Sequence, residues 1–236
     1  MFRLFFMVLI AAQAPDPRTE WENKLEPDTK GEPAYAFVEE NPALPRVLLI
    51  GDSISVGYTP GVRKLLEGKA NVLRIPVNGG PTSRAVELLD GWLGAGKWDV
   101  IHFNFGLHDI KRRARAMTNG EMDMRAEWQV VREQYEKNLD TLVQKLKSTG
   151  AKLIWASTTP VPEGASGRIK GDEVIVNQIA EKVMKKYGVE IDDLGGYILP
   201  HLDKYQRPQN VHFTDEGSGF LAQKVAGSIE KALEAK

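Results

Sequence analysis

At 236 residues, with 42% hydrophobic and 27% charged side chains, the chain has the size and composition of one α/β core and leaves no room for a second full domain. A formal net charge of -1 gives no global electrostatic reason to expect nucleic acid or an anionic membrane as partner, so partner choice must come from a local site. There is no cysteine, which excludes both disulfides and a cysteine-linked lipid anchor and leaves core burial to hold the fold.

The first segment, "MFRLFFMVLIAAQA", has an early positive charge at Arg3, an apolar stretch from Leu4 to Ala12 and an Ala-x-Ala end at Ala12 and Ala14. That is the pattern of a cleavable secretory signal, and the stretch is too short for the roughly 20 residues a bilayer span needs. It predicts residues 1–14 as a signal peptide cut after Ala14, a secreted or periplasmic destination, and no membrane association afterwards. Residues 15–45, rich in Pro, Glu and Asp with anchors at Trp21, Tyr35 and Phe37, read as an irregular extension packed over the edge of a domain spanning 46–236.

From residue 46 the pattern alternates. Short apolar runs rich in β-branched or aromatic residues, "RVLLI" (46–50), "NVLRIPV" (71–77), "DVIHFNFG" (99–106) and "KLIWASTTP" (152–160), read as buried strands, with a fifth near "VEIDDLG" (189–195). Between them "TPGVRKLLEG" (59–68), "TSRAVELLDGWLG" (82–94), "EWQVVREQYEKNLDTLVQKLKSTG" (127–150) and "DEVIVNQIAEKVMKKYG" (172–188) carry apolar residues three and four apart, as helices do, and a last helix closes the chain from Asp215. Alternating strands and helices predict an α/β fold: a three-layer α/β/α sandwich on a central, mainly parallel five-stranded sheet with right-handed crossovers. Ligands in such sheets bind beyond the strand C-terminal ends.

Four stretches of chemistry-bearing residues fall at that edge. "GDS" (51–53) ends the first strand, where Gly51 eases a sharp turn toward a helix and the N–H of Ser53 faces any anion formed there, aided by the N-terminus of the helix that follows. "NGGPTS" (78–83) follows the second strand with two glycines that leave backbone N–H groups open to a ligand. "FGLHD" (105–109) follows the third and brings His108 and Asp109, while "NVHFTDEG" (210–217) sets His212 just before the closing helix. Taken singly each has an ordinary structural use as turn, cap or satisfied loop histidine. Their order along one sheet edge favours a shared site.

In these stretches the sequence resembles the GDSL or SGNH hydrolase superfamily over nearly all of the chain from about residue 45. The resemblance implies the flavodoxin-like SGNH fold, no metal or organic cofactor, Ser53 as nucleophile and His212 as the base that deprotonates it. It implies an oxyanion hole from the N–H groups of Ser53 and Gly80, with Gly79 the lesser choice, and from His108. In "GLHD" (106–109) that histidine stands where the family carries Asn, so the third donor would be an imidazole N–H. Three residues before His212 the family's Asp is replaced by Gln209. The orienter of the ring is then Gln209, a neighbouring carboxylate such as Asp215 or Asp203, or a backbone carbonyl in a Ser-His dyad, and activity should fall below about pH 6 to 7 as the base is protonated.

Substrate choice is read from what surrounds those stretches. The segment 109–128, the longest insertion before a helix, is a candidate lid or rim whose Lys111, Arg112, Arg113 and Arg115 could meet an anionic substrate such as an acidic glycan, or could simply form a solvated basic face. Family range and an exported chain without a greasy lid point to removal of small acyl groups, chiefly O-acetyl, from a carbohydrate or a small-molecule ester. The competing classes are a non-catalytic glycan-binding protein on the same fold and a generic carboxylesterase or acyltransferase. His102 and His201 match no zinc spacing and read as structural, Asn104 as a sheet-end hydrogen-bonding residue, and Trp92, Trp98 and Trp155 as core.

Overall fold

The apolar runs of the sequence assemble into one sheet. In the computed structural model, which describes residues 16–112 and 127–235, the strands are β1 (Arg46–Ile50), β2 (Asn71–Arg74), β3 (Val100–Phe103), β4 (Lys152–Ala156) and β5 (Glu190–Asp192). They lie in the order β2-β1-β3-β4-β5, and every pairing is parallel. Both faces are covered, so β3 is buried along its whole length and β1 from Val47 on, which is why these strands read as continuous apolar runs rather than alternating ones. The run "NVLRIPV" stops as a strand at Arg74 because Pro76 has no N–H to give the ladder.

The helices are α1 (Pro17–Lys24), α2 (Ser53–Leu65), α3 (Thr82–Leu93), α4 (Arg132–Ser148), α5 (Asp172–Tyr187), α6 (Leu194–Ile198), α7 (Leu202–Tyr205) and α8 (Asp215–Glu234). Helices α2 and α8 pack on each other, as do α3 with α4 and α4 with α5, giving the three layers. None of the described helices is long and apolar enough to cross a membrane. The chain reverses direction across the sheet between β1 and β3, and the crevice at their C-terminal ends is the place such a topology reserves for ligands.

Three elements differ from the sequence expectation. Helix α2 starts at Ser53, not near Thr59: Asp52 caps it by accepting the Ile54 N–H at 2.9 Å, and Pro60 sits inside it at the cost of one backbone bond. Residues 127–131 are not helical, since Trp128 bridges antiparallel to Arg112 and its indole N–H donates to Asp172 at 3.0 Å before α4 begins. The acidic extension holds a helix, because Asp16 accepts from Thr19 N–H at 3.0 Å and Pro17 fits the first helical position. That extension is tied to the domain where Tyr35 covers the buried Arg74, its ring 4.6 Å from the guanidinium, and where Arg63 donates to Pro33 O at 3.1 Å. The expected signal segment, residues 1–14, lies outside the described residues.

The pairing of α2 with α8 positions the site. Small residues one turn apart, Gly57 and Gly61 on α2, face Ser218 and Ala222 on α8 so closely that a Cβ on Gly61 would stand 2.7 Å from the Ala222 Cβ, and one on Gly57 3.0 Å from Ser218 Oγ. This close approach brings the first residue of α2, Ser53, beside the loop that leads into α8.

Candidate active site

Ser53 stands on a turn with no slack. A Cβ on Gly51 would fall 2.0 Å from Asn104 Oδ1 and 2.9 Å from Ser55, so close packing, rather than a left-handed backbone, is what demands glycine. The Gly51 carbonyl accepts the Gly79 N–H at 2.9 Å, which locks the β2 exit against the β1 exit and spends the Gly79 donor on structure. Beneath the turn the buried Arg74 reaches Gly51 O at 3.4 Å and Val77 O at 3.4 Å. Ser53 is the first residue of α2, so its N–H has no intrahelical acceptor and points out at the positive end of the helix.

The histidine arrives from the other end of the chain. Ser53 Oγ and His212 Nε2 are 2.8 Å apart, across 159 positions of sequence. The other ring nitrogen, Nδ1, lies 2.7 Å from Asn210 Oδ1, and the same oxygen accepts the His212 backbone N–H at 3.0 Å. A backbone N–H needs an acceptor, so the atom facing the ring is the amide oxygen and not the amide nitrogen. Nδ1 therefore carries the proton, and Nε2 is left with the lone pair that accepts from the serine hydroxyl. Burial holds the His212 pKa below its ordinary 6.5, Arg168 and Arg207 lower it further, and Asp52 opposes them.

The orienter is thus a residue that sequence reasoning missed. Gln209 occupies the position three before His212, but its backbone is left-handed at φ 54° and its side chain lies against Gly164, where an added Cβ would be 3.0 Å from Gln209 Cγ. Asp215 and Asp203 are exposed in the first turns of α8 and α7, and neither is hydrogen-bonded to the ring among the described residues. The motif N-x-H was the available signal: an Asn two residues ahead can close an Asx turn on the histidine backbone and reach the ring with the same oxygen. The loop is closed further by Arg207 N–H donating to His212 O at 3.0 Å.

The other two expected oxyanion donors lie on two further loops. Gly80 has φ 64°, which glycine tolerates, and its N–H donates to Asn78 Oδ1 at 3.0 Å. His108 is half-buried, and burial, with Arg168, Lys111 and His212 adding to it, holds its pKa below 6.5 against the pull of Asp52. The buried carboxylate of the next residue, Asp109, accepts both from Thr82 N at 2.9 Å and from Thr82 Oγ1 at 2.6 Å. That pair joins the loop carrying His108 to the start of α3, two residues after Gly80. Asn138 on α4 completes it by donating to Thr82 Oγ1 at 3.0 Å.

The expected basic rim is divided by the structure. Arg112 is buried and ion-paired to Asp172 at 2.6 Å, so it braces α5 instead of facing a ligand. Arg113 and Arg115 lie outside the described residues, and Lys111 is partly exposed beside His108. Away from the site, His102 is fully buried with Nε2 3.2 Å from Asp192 Oδ2, and His201 packs its ring on Phe220. Asn104 is buried at the β3 exit, and Trp92, Trp98 and Trp155 are all core.

The sequence pattern of the GDSL-like lipase/acylhydrolase family matches residues 49–219, which contain every element of this site. No curated protein matches the chain. Among solved structures, the acetyl xylan esterase AlAXEase is similar at 18% identity and TM-score 0.60, over 78% of this chain and 99% of that one. A lipase/acylhydrolase from Enterococcus faecalis is similar at 18% identity and TM-score 0.61, over 79% and 96%. A catalytic mutant of an acetylxylan esterase from Geobacillus stearothermophilus is similar at 15% identity and TM-score 0.60, over 78% and 94%.

Proposed function

From the premise that this chain belongs to the GDSL-like lipase/acylhydrolase family, we propose that it is a serine esterase that removes small acyl groups, chiefly O-acetyl, from carbohydrate through a Ser53-His212-Asn210 triad. The observation that carries this reading is the contact of Ser53 Oγ with His212 Nε2 at 2.8 Å in the tautomer that Asn210 imposes. Neutral His212 accepts the Ser53 proton as Oγ attacks the acyl carbon. The oxyanion rests against Ser53 N–H, Gly80 N–H, where it displaces the weaker acceptor Asn78, and the His108 ring. His212 then protonates the leaving alcohol, activates water, and releases the acid as the serine regains its proton.

The acetylxylan esterases among the structural neighbours support a carbohydrate substrate only through a shared fold, so the acyl and sugar preferences are part of the proposal. Ser53→Ala should abolish turnover of 4-nitrophenyl acetate and of acetylated xylan while leaving the circular dichroism spectrum unchanged, and a phosphonate probe should label the unaltered protein at Ser53. Full activity in that variant would overturn the assignment. Export through cleavage after Ala14 belongs to the same proposal, and N-terminal sequencing of the released protein tests it.

A further inference from the structure

Resting on the esterase reading, we propose that Arg168 is a specificity-determining residue that selects esters bearing a carboxylate close to the scissile bond. The guanidinium is fixed against the loop that carries His108: its Nε donates to Leu107 O at 2.6 Å, one residue before His108, and Nη1 reaches Ser166 O on its own loop at 3.4 Å. Those two bonds occupy Nε and Nη1 and leave Nη2 without a partner among the described residues. No carboxylate pairs with Arg168 there either, although Arg112, four residues from His108, has its own acid in Asp172. The half-buried guanidinium feels the charge of Asp52 but makes no ion pair among the described residues, so Nη2 is left to donate to the carboxylate of a substrate.

The loop around Arg168 is built to face the site. Gly167 O accepts the Arg112 N–H at 2.7 Å on one side. On the other, Gln206 Nε2 donates to Pro160 O at 2.7 Å, and Gln209 lies against Gly164. The β4–α5 connection is therefore held between the loop of His108 and the loop of His212. Its positive charge is felt at both rings, where it opposes protonation against the larger pull of Asp52. That sign argues against a purely catalytic use, because the imidazolium that His212 must become in the transition state is disfavoured by a nearby cation. A substrate carboxylate seated on Arg168 cancels this field as it binds, so the anionic ester gains both affinity and a better base.

The carboxylate can sit on the alcohol side, as in an acetylated uronic acid, or on the acyl side, as in a hemisuccinate. Kinetics on four probes separate the two: acetylated methyl glucuronide against acetylated methyl glucoside, and the 4-nitrophenyl esters of succinate and acetate. In the unaltered enzyme one anionic member should exceed its neutral counterpart in kcat/KM by about tenfold, the scale of one well-placed ion pair, and Arg168→Gln should erase that ratio while Arg168→Lys restores part of it. Equal ratios in the unaltered enzyme and Arg168→Gln, or a preference for both neutral esters, would overturn the proposal without touching the esterase reading. Absence of turnover on all four probes would strike that reading instead. Calorimetry then still decides the Arg168 question, since methyl glucuronide or succinate must bind the unaltered protein and not Arg168→Gln.

Discussion

In the proposed mechanism a single amide sets how His212 works as a base. Asn210 presents an oxygen to His212 Nδ1 at 2.7 Å, which fixes the tautomer and the ring plane as a carboxylate would, but without a negative charge to stabilise the imidazolium. Two consequences are separable by experiment. Asn210→Ala should free the ring and lower kcat, with the roughly 10⁴-fold loss known for a triad held in the wrong tautomer as the ceiling. Asn210→Asp keeps the geometry and adds charge, so it should raise the His212 pKa. The His212 pKa lies below 6.5 through burial and the neighbouring arginines, so the acid limb of kcat/KM in the unaltered enzyme should fall below that value and move upward in Asn210→Asp. A pH profile of 4-nitrophenyl acetate hydrolysis checks both, and a limb that does not move would remove Asn210 from the triad.

At the scale of elements, the distance between two helices sets the distance between two side chains. Gly61 on α2 meets Ala222 on α8, and a Cβ at 61 would lie 2.7 Å from the Ala222 Cβ. Gly61→Ala should gain about 1 kcal/mol in helix propensity, yet overpacking of this kind costs about 1–3 kcal/mol, so the helices must part and Ser53 must draw away from His212. The expected outcome is a lower Tm and a reduced kcat, both recovered when Ala222→Gly is added; a single variant that is more stable and fully active would contradict it. The elements themselves were largely legible, because doubly covered parallel strands leave continuous apolar runs and "GDS" and "NVH" sit where such a sheet binds ligands. What linear spacing could not show was which groups meet. Gln209 holds the family's acid position but turns toward Gly164, Asn210 works through an Asx turn, and Arg112 is claimed by an acid sixty positions on. The start of α2 lies at Ser53 rather than near Thr59 because Asp52 caps it and Pro60 is accommodated in its interior.

Over the whole molecule, the sheet edge and the helical layer of α3 and α4 are joined at one buried carboxyl group. Asp109, leaving β3, receives the backbone and hydroxyl of Thr82 at the start of α3, and Thr82 in turn receives Asn138 from α4. Burial pushes the Asp109 pKa up to about 7 from 3.8, outweighing the Thr82 hydrogen bonds that favour the carboxylate. The unfolded chain releases this proton near pH 4 whereas the folded protein keeps it until near 7, so the stability this group contributes declines across that window and is gone above it. The slope has a ceiling of about 1.4 kcal/mol per pH unit. Asp109→Asn retains the oxygen that accepts from Thr82 and cannot titrate. The difference in unfolding free energy between the unaltered protein and Asp109→Asn, measured by urea titration at a series of pH values, should therefore fall in favour of the variant from pH 4 to 7 and then level off. A difference that stays flat across this range would mean that Asp109 is ionised in the fold and that the junction of β3, α3 and α4 is held by a charge.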